Sequence, residues 1–303
     1  MTRDSFQDGR QKRVSVVIPS LTSPVINRTI ASLKEQTFGL DQLEVLVVGL
    51  DDAGLIDPAD GIRFIPTGAP VNPAVARNIG MHLAQGDFLL FLDADCIATP
   101  NWVETMVSCL AAGKAVVGGA VTFPVDNYWL VCDNVTFFHE YMPSKKAGER
   151  RYLPTLNLGV QRDVVQAVGG FDETLPRAQD IEFTVRMFAS GYRPYFTPTA
   201  GVRHCPENRG LQQTLRRSFV SGEYSIGIRL RHADIYHTPF FARSAVLLLA
   251  LSPLISAYIA LKIFAVDRAM LRYWYTLPVV FLSKLAWCLG AAKSLLRSEH
   301  VLD

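Results

Sequence analysis

The stretch Asp87-Phe-Leu-Leu-Phe-Leu-Asp-Ala-Asp-Cys-Ile-Ala-Thr-Pro-Asn101 decides the fold. Its apolar run, Phe88 to Leu92, is short enough for a buried strand and too short for a typical helix. The run stops at Asp93-Ala94-Asp95, and Pro100-Asn101 opens a helical pattern from Trp102 to Ala112. In an open α/β sheet, ligands bind outside the carboxyl ends of strands, which is where these two carboxylates fall. Hard oxygen ligands suit Mg²⁺ or Mn²⁺, ions that join protein carboxylates to a nucleoside diphosphate. The plainer alternative is a helix cap at Asp93 and a solvated loop residue at Asp95.

Upstream, Val14 to Ser20 is a β-branched run closed by proline and predicts the first, central strand. Pro24 to Thr37 has helical spacing, Glu44 to Gly49 is a second strand, and Arg63 to Ile65 a short third. Ala74 to Ala84 predicts a helix entered after Asn72-Pro73. Downstream come a strand over 114–123, an irregular, aromatic and charged stretch over 124–152 suited to a flap, and a segment Leu156 to Arg162. A short helix to Val168, the turn Gly169-Gly170-Phe171-Asp172-Glu173 and a helix opened by Gln179-Asp180 complete this part. Strand–helix alternation of this kind predicts a Rossmann-like, doubly wound and mostly parallel sheet. Asp51 and Asp52 follow the second strand, where they either accept hydrogen bonds from a base or ribose or simply make a turn. Arg77 and Asn78 either meet a base edge or diphosphate or form a solvated helix face. Asp180 is either a cap or a base held near a helix N-terminus.

The 303-residue chain is 49% hydrophobic, and its net charge of +2 conceals an asymmetry. Residues 1–200 carry 17 Lys/Arg against 22 Asp/Glu, whereas 201–303 carry 13 against 6. An acidic front and a basic, apolar rear suit a catalytic domain tied to an anionic membrane surface. No basic run interleaved with aromatics forms a nucleic-acid module, so nucleic acid is not expected as a partner. The five cysteines are scattered without metal-ligand spacing and imply free thiols in a reducing compartment. The polar leader, residues 1–12, lacks the apolar core of a signal peptide, so the front domain is expected in the cytoplasm.

In the rear, residues 209–240 contain Leu211, Leu215 and Phe219 at helical spacing beside Arg216, Arg217, Arg229 and Arg231. This pattern fits either an interfacial helix on anionic lipid or a basic face packed beside the catalytic domain. Residues 241–303 hold two apolar runs, Ser244 to Phe264 and Trp274 to Ala292, the second interrupted by Lys284. They predict a hairpin that crosses the membrane or a helix pair lying on it. Flanking arginines and lysines place both ends in the cytoplasm, but Arg268 and Arg272 in the connecting loop oppose that topology.

Taken in order, VSVVIPS (14–20), EVLVVGLDD (44–52), NPAVARNIG (72–80), GDFLLFLDADC (86–96), LNLGVQRDVVQAVGGFDE (156–173) and AQDIEFTVRMFASGYRPYFTPTAGVRH (178–204) resemble glycosyltransferase family 2. The resemblance covers Val14 to about His204 and implies a GT-A fold over residues 13–208 and a membrane-associated, inverting glycosyltransferase. It implies a nucleotide-sugar-binding set of Pro19, Asp51, Asp52, Arg77, Asp93 and Asn157. It also implies a metal site of Asp95 with Asp93 and His204 for Mg²⁺ or Mn²⁺, and Asp180 as catalytic base. The partners it implies are a nucleotide-diphosphate sugar and a glycan or lipid-linked acceptor.

Two positions depart from that family pattern. Gln179 stands where an acidic residue usually precedes the base, and Gly49-Leu50 intervenes before Asp51-Asp52. Two other classes remain open. A nucleotidyltransferase normally wants a Gly-rich phosphate loop and lysine after the first strand, which Ser20 to Pro24 does not supply. A membrane-anchored binder without turnover is suggested by Gln179.

Overall fold

The computed structural model describes residues 14–39, 42–207 and 210–299; the leader over 1–12 lies outside them. The chain divides into two compact units. The first runs up to Thr122 and resumes over Lys145–His204; the second comprises Phe123–Ser144 and the chain from Cys205 onward.

Among the described residues, the first unit is built on one nine-stranded mixed sheet. Its strands are β1 (Val14–Leu21), β2 (Leu43–Leu50), β3 (Arg63–Pro66), β4 (Phe88–Leu92), β5 (Cys96–Ala98), β6 (Val116–Thr122), β7 (Gly148–Glu149), β8 (Asn157–Gln161) and β9 (Tyr195–His204). The spatial order is β3-β2-β1-β4-β8-β6-β9-β5, with β7 also beside β9. The pairings give β1, β2, β3, β4, β6 and β9 one common direction, and β5, β7 and β8 the opposite one. The mostly parallel sheet is thus as expected. Every residue of β4 is buried, which explains its unbroken apolar sequence: both faces are covered, so alternation is not required.

Helices α1 (Ile26–Lys34), α2 (Pro73–Leu83), α3 (Trp102–Ala111), α5 (Arg162–Val168) and α6 (Gln179–Ala189) belong to this unit. The start of α2 follows from its sequence. Asn72 Oδ1 accepts from Val75 N at 3.0 Å, and Pro73 occupies a position where no amide hydrogen is needed. Connections leave β1 toward β2 on one side and toward β4 on the other, so a crevice opens at the carboxyl ends of β1 and β4.

The second unit is helical: α4 (Tyr128–Phe138), α7 (Leu211–Arg231), α8 (Ala233–Tyr236), α9 (Ala245–Val266) and α10 (Leu277–Glu299). The stretch expected to be an irregular flap is corrected here, since its centre is α4. Asn127 caps that helix by accepting from Trp129 N and Leu130 N, and Leu130, Val131, Val135 and Phe138 are buried. Asp133 and Asn134 mask the periodicity. Both are buried as well, Asp133 against Arg217 and Asn134 on the carbonyl of Leu130. Helix α7 runs antiparallel along α10 at a close crossing. Gly222 lies against the Trp287 carbonyl and Gly290 against the Phe219 carbonyl, where a Cβ would come within 2.0 and 1.9 Å respectively.

Candidate active site

The turn after β4 is held from outside by small hydroxyls. Ser23 Oγ and Thr29 Oγ1 both donate to the Ala94 carbonyl at 3.0 Å, and Cys96 N donates to Asp93 O at 3.0 Å. This tight turn leaves the Asp93 and Asp95 side chains about a third exposed, at 31% and 30%. Both line an open cleft of about 220 Å³, together with Pro19, Ser20, Gly49 and Arg77. Gly49 is required by close approach: its φ is +141°, and a Cβ there would meet the Ser20 carbonyl at 1.7 Å.

Arg77 projects from α2 and is nearly sequestered. Its Nη2 donates to Asp93 Oδ1 at 2.6 Å, and its guanidinium lies 5.5 Å from the Phe171 ring centroid. Its Nε and the hydroxyl of Ser20 are buried without a hydrogen-bond partner. Buried polar atoms left unpaired are costly, and two in one cleft mark a place prepared for polar ligand atoms. Ser20 belongs to no site expected from the sequence; its only signal there is its place beside Pro19 at the end of β1.

Asp95 Oδ2 stands 3.7 Å from His204 Nε2. The register makes this pair, because Cys96 in β5 is opposite His204 in antiparallel β9. Among the described residues no group of three or more His, Cys, Asp or Glu side chains is arranged around one point. A carboxylate, an imidazole and an open face nonetheless fit Mg²⁺ or Mn²⁺, which commonly take one or two protein carboxylates and complete their shell with phosphate oxygens and water.

Asp180 reaches this neighbourhood through an aromatic cluster. Phe91, two residues before Asp93, meets Phe171 edge-on at 5.5 Å, and Phe171 lies 3.9 Å from Phe183, one turn beyond Asp180. Asn78 fixes Phe171 from α2, donating to its carbonyl at 2.9 Å and accepting from its amide at 2.8 Å. Asn78 therefore serves the scaffold, while its neighbour Arg77 faces the cleft. The residue before α6, Ala178, is left-handed at φ +64°, a strained conformation for a residue with a Cβ. Surrounding protein desolvates Asp180 and raises its carboxyl above the ordinary value. The amide of Ile181, Arg77 and Arg177 oppose that rise, and Asp93 adds to it. Gln179 is turned inward, its Nε2 donating to the Leu175 carbonyl at 2.7 Å.

The remaining expected residues have internal partners. Asp51 accepts from Leu55 N at 3.0 Å and Ile56 N at 2.9 Å, and so organises its own turn. Asp52 accepts from Thr22 Oγ1 at 3.1 Å. Asn157 is fully buried: Trp102 Nε1 donates to its Oδ1 at 2.8 Å, and its Nδ2 donates to the carbonyls of Ala120 and Ala200, both at 3.0 Å. All of its donor capacity is spent joining β8 to β6 and β9. Its position is that of a brace beneath the cleft.

The sheet is of GT-A type, and the enzyme built on it is a glycosyltransferase. The chain belongs to glycosyl transferase family group 2, whose model matches residues 88–291. The model described as glycosyl transferase family 2 matches residues 15–160. Glycosyltransferase AglE of Haloferax volcanii is 26% identical over 302 residues, covering 95% of this chain and 96% of that one. Glucosyl-dolichyl phosphate glucuronosyltransferase of the same organism is 28% identical over 228 residues, covering 63% of this chain and 69% of that one. Among solved structures, the mannosyltransferase PcManGT from Pyrobaculum calidifontis, in complex with GDP-Man and Mn²⁺, superposes with a TM-score of 0.59 at 18% identity. That match covers 91% of this chain and 86% of the other.

Proposed function

We propose that this glycosyltransferase moves a sugar from a nucleoside-diphosphate donor to an acceptor hydroxyl in one inverting displacement. The observation that carries the reading is the cleft in which Arg77 clamps Asp93 beside the Asp95–His204 pair, with Asp180 within the same electrostatic field. Departure of a nucleoside diphosphate builds negative charge, and Arg77 is placed to stabilise it. Asp95, with His204 and Asp93, would hold Mg²⁺ or Mn²⁺, which supplies Lewis-acid charge stabilisation when bound. Pro19 and Ser20 form the wall against which the nucleotide lies, with Asp51 and Asp52 at the end of the neighbouring strand. Asp180 accepts the proton of the attacking hydroxyl; its raised basicity suits that task better than an ordinary carboxylate would. Gln179, bonded to a backbone carbonyl, is not required for this step.

The catalytic domain takes in residues 13–208, followed by a basic interfacial segment over 209–240 and an apolar helix pair over 241–303. Two helices long and apolar enough to cross a bilayer support location at the cell membrane, and five free cysteines suit a cytoplasmic catalytic domain. Such an arrangement favours a glycan or lipid-linked acceptor.

Thermal unfolding of the full chain with a panel of nucleotide sugars, each with and without Mn²⁺, tests the donor and metal together. A ligand of the native state raises the apparent stability. One sugar nucleotide should do so in a Mn²⁺-dependent manner, and the shift should vanish in Asp95→Ala. A metal-independent response that survives Asp95→Ala would overturn the assignment.

A further inference from the structure

Arg77 and Asp180 stand on different helices, α2 and α6, and one turn touches both helices. This turn, Gly169 to Glu173, is gripped on the α2 side by two asparagines. Asn78, bonded to both backbone groups of Phe171, also donates from Nδ2 to Glu173 Oε1 at 2.7 Å, and Asn72 Nδ2 donates to the Glu173 carbonyl at 2.8 Å. On the α6 side the grip is Arg186. It donates to the Val168 carbonyl from Nη1 and to the Gly170 carbonyl from Nη2, the latter at 2.6 Å. Glu182, one turn earlier, sets that guanidinium in place through two bonds, from Nε to Oε1 at 2.8 Å and from Nη2 to Oε2 at 2.9 Å.

The turn has little room to adjust between these grips. Gly169 has φ +83°, a conformation that favours glycine, and a Cβ on Gly170 would come within 2.6 Å of Asn78 Oδ1. What the turn delivers is the Phe171 ring, 5.5 Å from the Arg77 guanidinium on one side and 3.9 Å from Phe183 of α6 on the other. The Glu182–Arg186 pair is therefore more than an ion pair along one helix, since its guanidinium is also spent on backbone carbonyls outside that helix.

We infer that Arg186, oriented by Glu182, is a positioning residue for sugar transfer: by fastening the Phe171 turn to α6 it sets where Asp180 stands relative to Arg77. The inference deepens the proposed reaction and rests on it in taking Asp180 as base and Arg77 as the partner of the leaving diphosphate. Donor binding draws on the Arg77 side, which the two asparagines hold without Arg186. The chemical step needs both sides at once, and a displacement of about 1 Å can cost about 10²-fold in rate.

The test uses the full chain, Mn²⁺ and the nucleotide sugar that stabilises it in the thermal screen, with heat-treated membranes of the source organism supplying the acceptor. Turnover is read as nucleoside diphosphate released, at a temperature below the unfolding midpoint of every variant compared. Arg186→Met should lower kcat by about 10²-fold and leave the donor KM within about twofold of wild type. Arg186→Lys keeps the charge but not the fork, and should lose about tenfold. In a chain already carrying Asp180→Asn, Arg186→Met should cost less than about threefold more, since residues acting as a unit do not multiply their effects. A full second loss in that background, a raised donor KM at unchanged kcat, or wild-type turnover in Arg186→Lys would overturn the inference. Arg186→Lys decides alone if Arg186→Met does not fold. Undiminished transfer by Asp180→Asn would instead show the base assignment to be wrong, and the inference would fall with it.

Discussion

At the residue scale, Asp180 and Asn157 respond to their surroundings in opposite ways. Desolvation raises the Asp180 carboxyl, so the ionised form is disfavoured in the folded chain relative to the unfolded one. The linkage has a definite sign. The protonated group's stabilising contribution is full below the unfolded value, near 3.9 as a rough reference, and is lost as pH rises through the higher folded value. Asp180→Asn should therefore make the chain more stable at neutral pH in urea titrations while lowering transfer by about 10²–10⁴-fold, with donor binding kept. The acid limb of the wild-type kcat/KM profile should lie above the usual carboxylate range. A variant less stable than wild type at pH 7 would argue against burial as the source of the raised basicity. Asn157 is buried but satisfied by three hydrogen bonds, so Asn157→Leu should leave the Trp102 indole and two carbonyls unpaired. A loss of about 3 kcal/mol or more in denaturant unfolding is expected. A wild-type midpoint in that variant would contradict the brace.

At the scale of elements, the helical unit depends on how closely α7 and α10 approach. Gly222→Ala places a methyl against the Trp287 carbonyl, a backbone atom that cannot swing away. The helices must separate, at a cost of about 1–3 kcal/mol. At Gly227, on the same helix, an added Cβ would meet no atom within 4 Å. Gly227→Ala should therefore stabilise by about 0.5–1 kcal/mol through helix propensity alone. Thermal unfolding of the two variants in one detergent separates these effects, and a shift in the same direction for both would refute the tight crossing. In the sheet, the element that matters most for the site is β5. Three residues long, it carries no sequence signal of its own, yet its antiparallel pairing with β9 is what brings His204 to Asp95.

At the scale of the whole molecule, the exposed apolar surface gathers on the helical unit. On α9, Val246, Leu254, Tyr258, Leu261 and Val266 are each more than half exposed, and Trp274 beyond it is 70% exposed. A 22-residue helix extends about 33 Å, the thickness of a bilayer's hydrocarbon core. The full chain should float with zwitterionic vesicles and remain with them through a high-salt wash, because burial of apolar surface is not screened as surface charge is. Release by salt alone would reduce the attachment to its arginines and lysines. Much of this is legible in the sequence. The strands β1, β2 and β4, the Asp93-Ala94-Asp95 turn after β4 and the two apolar helices are local patterns of burial, and a local pattern is written in consecutive residues. Helix α4 is not legible, because its Asp133 is buried against a partner distant in the chain and its Asn134 is buried on the helix's own backbone. The sequence alone thus determined which segments must be covered and where a strand must end in carboxylates. Tertiary structure decided which polar groups share a space: Arg77 with Asp93, and Asp95 with His204. Such pairings depend on strand order and helix crossings, and these are set by contacts between residues far apart in the chain rather than by any run of neighbours.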